Sequence, residues 1–417
     1  MGKPESLGLS SKRLATLDRV LKERYIDGGH IPGIHTQIWR RGELAHNGIA
    51  GSMDLERNKP WREDAIVRLY SMTKPITAVA LMILVEEGKL GLDDFVHTHI
   101  PSWANLRVYE SGVPSVVATE PGQFVTTPCK RPMKVVDLVT HTAGLTYGFM
   151  WRTTIDAIYR QQKIAEHQTA GGLEGFIEQL SKIPLDFSPG ERWNYSVAID
   201  VMGYLVQKLS GMTFGEFLRT RIFEPLGMND TGFSVPAAKV ERFSSCYMPK
   251  PGGGLKLQDD AAKSTFAEPP KLESGGGGLV GTMNDYMRFA RMMLGGGTLD
   301  GVQILSPKTV QMFAINFLPN GSLLSDMTAA ASFTETAYEG VGFSIGCGLI
   351  VDQAKMKLPG TPGTFFWGGA AATFFWADPK EHLAVVQTTQ VIGSNARLAL
   401  RRDLRTLVYS AMTESYA

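Results

Sequence analysis

The sequence predicts an α+β fold, with one antiparallel sheet assembled from both ends of the chain, flanked by terminal helices, and a mainly helical portion between. Three observations predict it. Strand-like runs cluster near residues 33–51 and again near 340–390, whereas residues 92–280 carry mostly helical patterns broken by Pro/Gly-rich stretches. Amphipathic patterns stand at each end, in SKRLATLDRVLKERY and in ARLALRRDLRTLVYSAM. The first strand run, GIHTQIWRRGELAHNGIAG, alternates about Arg41-Gly42 and reads as a hairpin.

The first helix is expected from Leu14, Leu17, Val20, Leu21 and Tyr25, which fall near helical spacing. After the hairpin, YSMTKPIT leads into the apolar run AVALMILVEEG, a helix expected to stop at Gly88 or Gly91. A helix is expected from near Tyr195 through AIDVMGYLVQKLS to Gly211, and another over TFGEFLRTRIFEPLG. The segment MPKPGGGLKLQDDAAKS reads as a surface loop by composition. Thr282 or Asn284 is positioned to cap a helix over the segment that follows the run Gly275–Gly278. Three strand runs follow: GVGFSIGCGLIVD, GTFFWGGAAATFFWADP and HLAVVQTTQ.

Bulk properties narrow the function. The 417 residues are ample for a large core, and a net charge of +1 gives no field toward nucleic acid or anionic membrane. The longest apolar run, near Ala78–Val85, is too short to span a bilayer. Cys129, Cys246 and Cys347 are far apart and odd in number, which suits free buried thiols and a cytoplasmic setting. The histidines are scattered, and His97 and His99 have no carboxylate pattern around them, so neither a metal nor a cofactor is expected.

Two serines compete for a catalytic role. Ser71 precedes Lys74 by three residues, so on a helix the two share a face, and the helix N-terminus favours developing negative charge. A lysine made neutral by burial accepts a serine proton. The spacing alone also fits a polar helix start followed by an exposed lysine. Ser344 sits in Gly342-Phe343-Ser344-Ile345-Gly346, a G-x-S-x-G pattern. That elbow needs a helix behind it, whereas here a glycine-rich strand continues, and the sole downstream histidine, His382, lies in a turn.

Several stretches together resemble the serine β-lactamase/penicillin-binding-protein fold, in its class C β-lactamase-like branch, and most of all the family VIII carboxylesterases. SMTK at Ser71–Lys74 resembles the S-x-x-K motif, and DLVTHTAGL, FSPGERWNYS, IFEPLGMNDTGF and GGGGLVGTMNDYMRFARMML resemble further shared segments in the expected order. WGGA at Trp367–Ala370 stands where β-lactamases carry K-T-G. The resemblance implies a serine β-lactamase-like fold: an α/β sandwich domain from residues 1–91 and 281–417, a mainly helical domain over 92–280, and an active site in the cleft between them.

By the same resemblance Ser71 is the nucleophile, Lys74 and Tyr195 share the acid/base role, and the N–H groups of Ser71 and Ala370 form an oxyanion hole. Which of Lys74 and Tyr195 first takes the proton stays open. Tyr147 and Trp367 are expected to wall the cleft, with Gly368 and Gly369 letting substrate approach the backbone. Asp200, five residues after Tyr195, is a candidate supporting carboxylate.

Two departures bear on substrate. Val197 replaces the asparagine of Y-x-N, and Trp367 replaces the cationic lysine of K-T-G. An ammonium facing a carboxylate is a strong recognition element, and indole offers only stacking and one N–H. The expected reaction is hydrolysis of small neutral short- to medium-chain acyl esters. Acyl transfer, β-lactam hydrolysis and D-amino-acid peptidase activity are alternatives on the same machinery, and a non-catalytic ligand-binding relative is a further one.

Overall fold

A computed structural model describes residues 2–111, 125–328 and 339–417. Its central feature is an eight-stranded antiparallel sheet. Across the sheet the strands run Val341–Phe343, Gly348–Ile350, Phe365–Gly368, Phe374–Asp378, Leu383–Thr388, Gly33–Arg40, Glu43–Asp54 and Lys59–Pro60. The sheet therefore joins the two ends of the chain where Gly33–Arg40 pairs with Leu383–Thr388, Ile38 lying opposite Val385.

Local chemistry sets these elements. Arg41 and Gly42 both take left-handed backbone, at φ +52° and +85°, and close the first hairpin. Two left-handed central residues match the twist of the flanking strands. Ser10 accepts a hydrogen bond from the Arg13 N–H and caps the helix Ser11–Leu21, which buries Leu14, Leu17 and Leu21. That helix packs on the C-terminal helix Ala396–Ser410.

Alternation along Phe374–Asp378 assigns the two layers. Trp376 stacks on Tyr409 of the C-terminal helix, while its neighbour Phe375 meets Tyr286 of the helix Met283–Leu294 on the opposite face. Both faces of the sheet are thus covered, which is why its central strands are buried on every residue. Thr282 is the cap of the helix on the second face, accepting from the Asp285 N–H.

The helix Thr73–Glu86 is buried on all sides from Thr73 to Leu84, which explains its nearly unbroken apolar sequence. Gly88 follows its end at φ +69°. Its main partner is the helix Ala198–Ser210, which also packs on Val135–Val139, Gly172–Leu180 and Phe214–Leu218.

Three expectations need correction. The helix after Tyr195 begins at Ala198, which leaves Tyr195 in the preceding loop. The polar segment at 246–259 is a hairpin, Cys246–Pro249 against Leu255–Asp259. Three consecutive left-handed glycines, Gly252 to Gly254, make its turn, and they had masked two short strands as a loop. The runs 340–352 and 363–379 are each two strands, reversed near Gly346 and near Ala372, both with positive φ. Residues 112–124, in one of the Pro/Gly-rich stretches of the helical portion, lie outside the described residues.

The three cysteines are free, Cys246 and Cys347 buried and Cys129 half-buried. Among the described residues no helix is long and apolar enough to cross a membrane.

Candidate active site

The segment Tyr70–Met72 is a single tight turn that runs directly into the helix Thr73–Glu86. Tyr70 has left-handed backbone at φ +46°, a conformation that costs a non-glycine residue energy and that sharpens the entry to Ser71. Lys74 lies one helical turn further on.

The loop before Ala198 brings Tyr195 to the same point. Its hydroxyl donates to Ser71 Oγ at 2.7 Å, and Lys74 Nζ lies 3.2 Å from that oxygen. A neighbour one helical turn away and a residue 124 positions along the chain thus converge on one hydroxyl. Lys74 Nζ also donates to the Gly276 carbonyl at 2.6 Å and sits 4.4 Å from the centre of the Tyr195 ring.

Lys74 is 1% exposed. Burial pushes its pKa down to about 7, against the opposing pull of Asp200. Burial drives Tyr195 the other way, upward, although its hydrogen bonds to Ser71 and Trp367 resist. Near neutral pH the lysine is therefore the group that readily becomes a free base, and the tyrosine keeps its proton.

Asp200 stands in the first turn of the helix Ala198–Ser210 and acts through the glycine run. Its Oδ1 accepts from Ser274 Oγ at 2.5 Å and from the Gly276 N–H at 3.0 Å. The same residue, Gly276, presents its carbonyl to Lys74, so Asp200 holds the acceptor that holds the amine. A β-carbon at Gly276 would lie 2.5 Å from Asp200 Oδ2 and 2.6 Å from the Tyr147 hydroxyl. Gly276→Ala is accordingly expected to lower kcat at least tenfold, on the order of the 1.4 kcal/mol that a tenfold change represents. Steady-state kinetics beside a melting curve checks this.

Tyr147 packs its ring 5.2 Å from Tyr195 and 4.7 Å from Phe149. Burial and the Asp200 carboxylate push its hydroxyl well above the ordinary tyrosine range.

The opposite wall is the turn after the strand Phe365–Gly368. Gly369 N–H donates to the Thr373 carbonyl at 2.9 Å and Ala372 N–H to the Gly369 carbonyl at 3.1 Å. A β-carbon on Gly369 would lie 2.4 Å from the Leu69 carbonyl, so this turn presses against the one carrying Ser71. Among the described residues neither the Ser71 nor the Ala370 N–H is spent on a hydrogen bond.

Both residues line a cleft of about 1160 Å³, together with Tyr70, Tyr147, Trp151, Phe266, Ile392 and Leu398. Gly368 and Gly369 line it as well, and Arg160, Lys163 and Arg397 place cations on its walls.

Trp367 is not placed as the sequence suggests. It is fully buried and does not belong to the cleft lining; its indole N–H donates to the Tyr195 hydroxyl at 3.4 Å. The strand Phe365–Gly368 is buried on both faces, and the tryptophan side faces Tyr195 and Phe343. Ser344 is buried away from the cleft, its hydroxyl donating to the Phe313 carbonyl at 2.7 Å.

Sequence reasoning missed three contributors. Gly276 acts through its backbone, signalled by the four-glycine run alone. Buried His141 lies 4.9 Å from the Tyr195 ring with Nδ1 3.0 Å from Ser196 Oγ, and burial pulls its pKa well down. Arg401, also buried, carried a signal: an arginine on the apolar face formed by Leu400, Leu404 and Val408. Among the described residues no cluster of His, Cys, Asp and Glu has the makings of a metal site.

Comparisons with known proteins bear on the family and the fold. The Beta-lactamase family model matches residues 17–410. Protein Rv1367c of Mycobacterium tuberculosis is 33% identical over 368 residues, 87% of each chain. Esterase EstB of Burkholderia gladioli is 27% identical over 425 residues, covering 97% of this chain and 96% of its own. Among solved structures, EstCE1, a hydrolase with promiscuous acyltransferase activity, aligns with a TM-score of 0.77 at 24% identity, over 95% of this chain and 99% of its own.

Proposed function

The chain is a serine hydrolase of the Beta-lactamase family, and from that premise we propose that it is a carboxylesterase acting through an acyl-enzyme on Ser71. The observation that carries the reading is the convergence of the Tyr195 hydroxyl and the Lys74 amine on Ser71 Oγ, at 2.7 and 3.2 Å. The esterase relative from Burkholderia gladioli, similar over almost its whole length, supports ester hydrolysis.

In this mechanism the free amine of Lys74 accepts the Ser71 proton as Oγ attacks the ester carbonyl. The Ser71 and Ala370 N–H groups receive the oxyanion. Tyr195, kept protonated, donates to the departing alkoxide, and Lys74 restores the tyrosine proton. Water then attacks the acyl-enzyme with Lys74 again as base, releasing the acid and regenerating Ser71. Asp200 supports the lysine through Gly276.

The substrate proposed is a small neutral ester, docked in the cleft between the sandwich portion (1–91 and 281–417) and the helical portion (92–280). No lysine stands at position 367, and Tyr147, Trp151, Phe266 and Leu398 give an acyl chain apolar surface in a cleft whose walls also carry Arg160, Lys163 and Arg397. The cytoplasmic setting expected from the free thiols belongs to the same reading.

A cleft of about 1160 Å³ also has room for an acceptor alcohol beside the acyl chain, which favours acyl transfer as a second reading. Two measurements test the proposal. A fluorophosphonate should add a single label, found by peptide mass spectrometry on Ser71; a label elsewhere, or none, would refute it. p-Nitrophenyl esters of increasing chain length, with and without added butanol, should give faster hydrolysis than nitrocefin. Butyl ester as the main product would favour the second reading.

A further inference from the structure

Behind the Ala370 turn lies a buried cation that the mechanism above does not use. Arg401, on the second turn of the helix Ala396–Ser410, is 2% exposed. Its Nη2 donates to the carbonyls of Gly369 and Thr373, each at 3.2 Å. Its guanidinium also lies 4.9 Å from the centre of the Phe374 ring. Burial pulls the guanidinium down to about 9, opposed by Tyr195, so it stays charged at neutral pH.

The Gly369 carbonyl and the Ala370 N–H belong to one peptide unit. The described chain has no cis peptide bond, so the two groups point in opposite directions. A cation drawing the carbonyl backward therefore turns the N–H forward, toward the wall that Ala370 contributes to the cleft. It also polarises that amide, because electron density moves toward the bonded oxygen and leaves the N–H a stronger donor. Gly368 makes the arrangement sterically feasible: a β-carbon there would lie 2.1 Å from Arg401 Nη2.

We propose that Arg401 is a positioning residue for the oxyanion hole, which orients and polarises the Gly369–Ala370 peptide from the side of the strand away from substrate. The inference rests on Ser71 as nucleophile and on the Ala370 N–H as oxyanion donor. It gives a reason for a charge kept in the core, where burying a cation has a desolvation cost. It also gives the two glycines of WGGA separate tasks, Gly368 admitting the guanidinium and Gly369 the Leu69 carbonyl.

The test uses the full chain and an alkylboronic acid, whose boron accepts Ser71 Oγ to form an anionic tetrahedral adduct. The proton of Ser71 passes to Lys74. Arg401→Lys and Arg401→Met are expected to lower kcat about 10- to 100-fold with KM within about threefold, since losing an oxyanion donor outright costs about 10²–10³. Boronate affinity should fall by a matching factor. Gly368→Ala, which retains the arginine but displaces it, should give the same pattern and keeps the test open where Arg401→Met does not fold.

Folded variants whose boronate affinity stays within twofold of the parent, or whose loss falls on KM, would overturn the proposal. Fluorophosphonate labelling of the parent separates the two levels. Labelled Ser71 with an unmoved boronate affinity refutes the role of Arg401 alone, whereas an unlabelled Ser71 overturns the reading beneath it and this inference with it.

Discussion

Ser71→Ala is expected to reduce p-nitrophenyl ester hydrolysis by a factor on the order of 10⁴ or more, because it removes the atom that forms the acyl-enzyme. The side chain is small and the loss of one hydroxyl leaves the packing of the helix Thr73–Glu86 intact, so the variant should remain folded by circular dichroism. Tyr195 loses its 2.7 Å acceptor and Lys74 its 3.2 Å neighbour, a local change expected to cost about 1 kcal/mol of stability. The matched control is Ser344→Ala, which removes a buried hydroxyl that donates to the Phe313 carbonyl and should leave most activity. Inactivation by the second substitution with survival of the first would transfer the nucleophile to position 344.

Lys74→Met is expected to cost 10³-fold or more in kcat, and its pH behaviour identifies the reason. The amine, held down to about 7, must be unprotonated to accept the serine proton. In the parent enzyme kcat/KM should therefore rise with pH through about 7 and level off above it, and the residual activity of the methionine variant should lack that limb.

Stability carries the same signature with a defined sign. In the folded state the amine loses its proton near pH 7, whereas the unfolded chain keeps it to about 10.4. Between those values the unfolded state binds more protons, so stability rises with pH across the window. Melting temperatures from pH 7 to 10 should consequently increase for the parent relative to Lys74→Met. A difference that is flat across this window would refute the depressed pKa.

The sequence made some of this site legible for physical reasons. A serine three residues before a lysine at the head of an apolar run suggests a shared face, though that spacing needed the resemblance of SMTK to decide it, and the structure sets Ser71 in the tight turn just before the helix that carries Lys74. Tyr195 had no such local signal and needed the resemblance of FSPGERWNYS, because it reaches Ser71 from a loop, across 124 positions of sequence. Backbone groups left little local trace: the Gly276 carbonyl was marked only by its glycine run, and the Ala370 N–H was reached only through the resemblance of WGGA to the K-T-G segment.

The misplacement of Trp367 has a different cause. It was expected in the cleft wall because WGGA stands where K-T-G does, but Phe365–Gly368 is buried throughout and the indole packs inward against Tyr195 and Phe343. The hairpin at 246–259 was hidden by glycine and charge, which report the turn and the solvent side but not the short pairing between. Arg401 was the opposite case, a visible misfit on an apolar face whose meaning needed coordinates.

The seam between Gly33–Arg40 and Leu383–Thr388 has a consequence for how the molecule is made. The early hairpin waits for a neighbour synthesised hundreds of residues later, so vectorial translation cannot complete this domain progressively, and its closure is a late, long-range event of the slow kind. The two extremities also meet beyond the seam, the Thr413 N–H donating to the Gly8 carbonyl at 2.9 Å. A circular permutant joined there, with new ends opened in the glycine turn at 252–254, would bring the two seam strands much closer in sequence and should refold faster than the natural order.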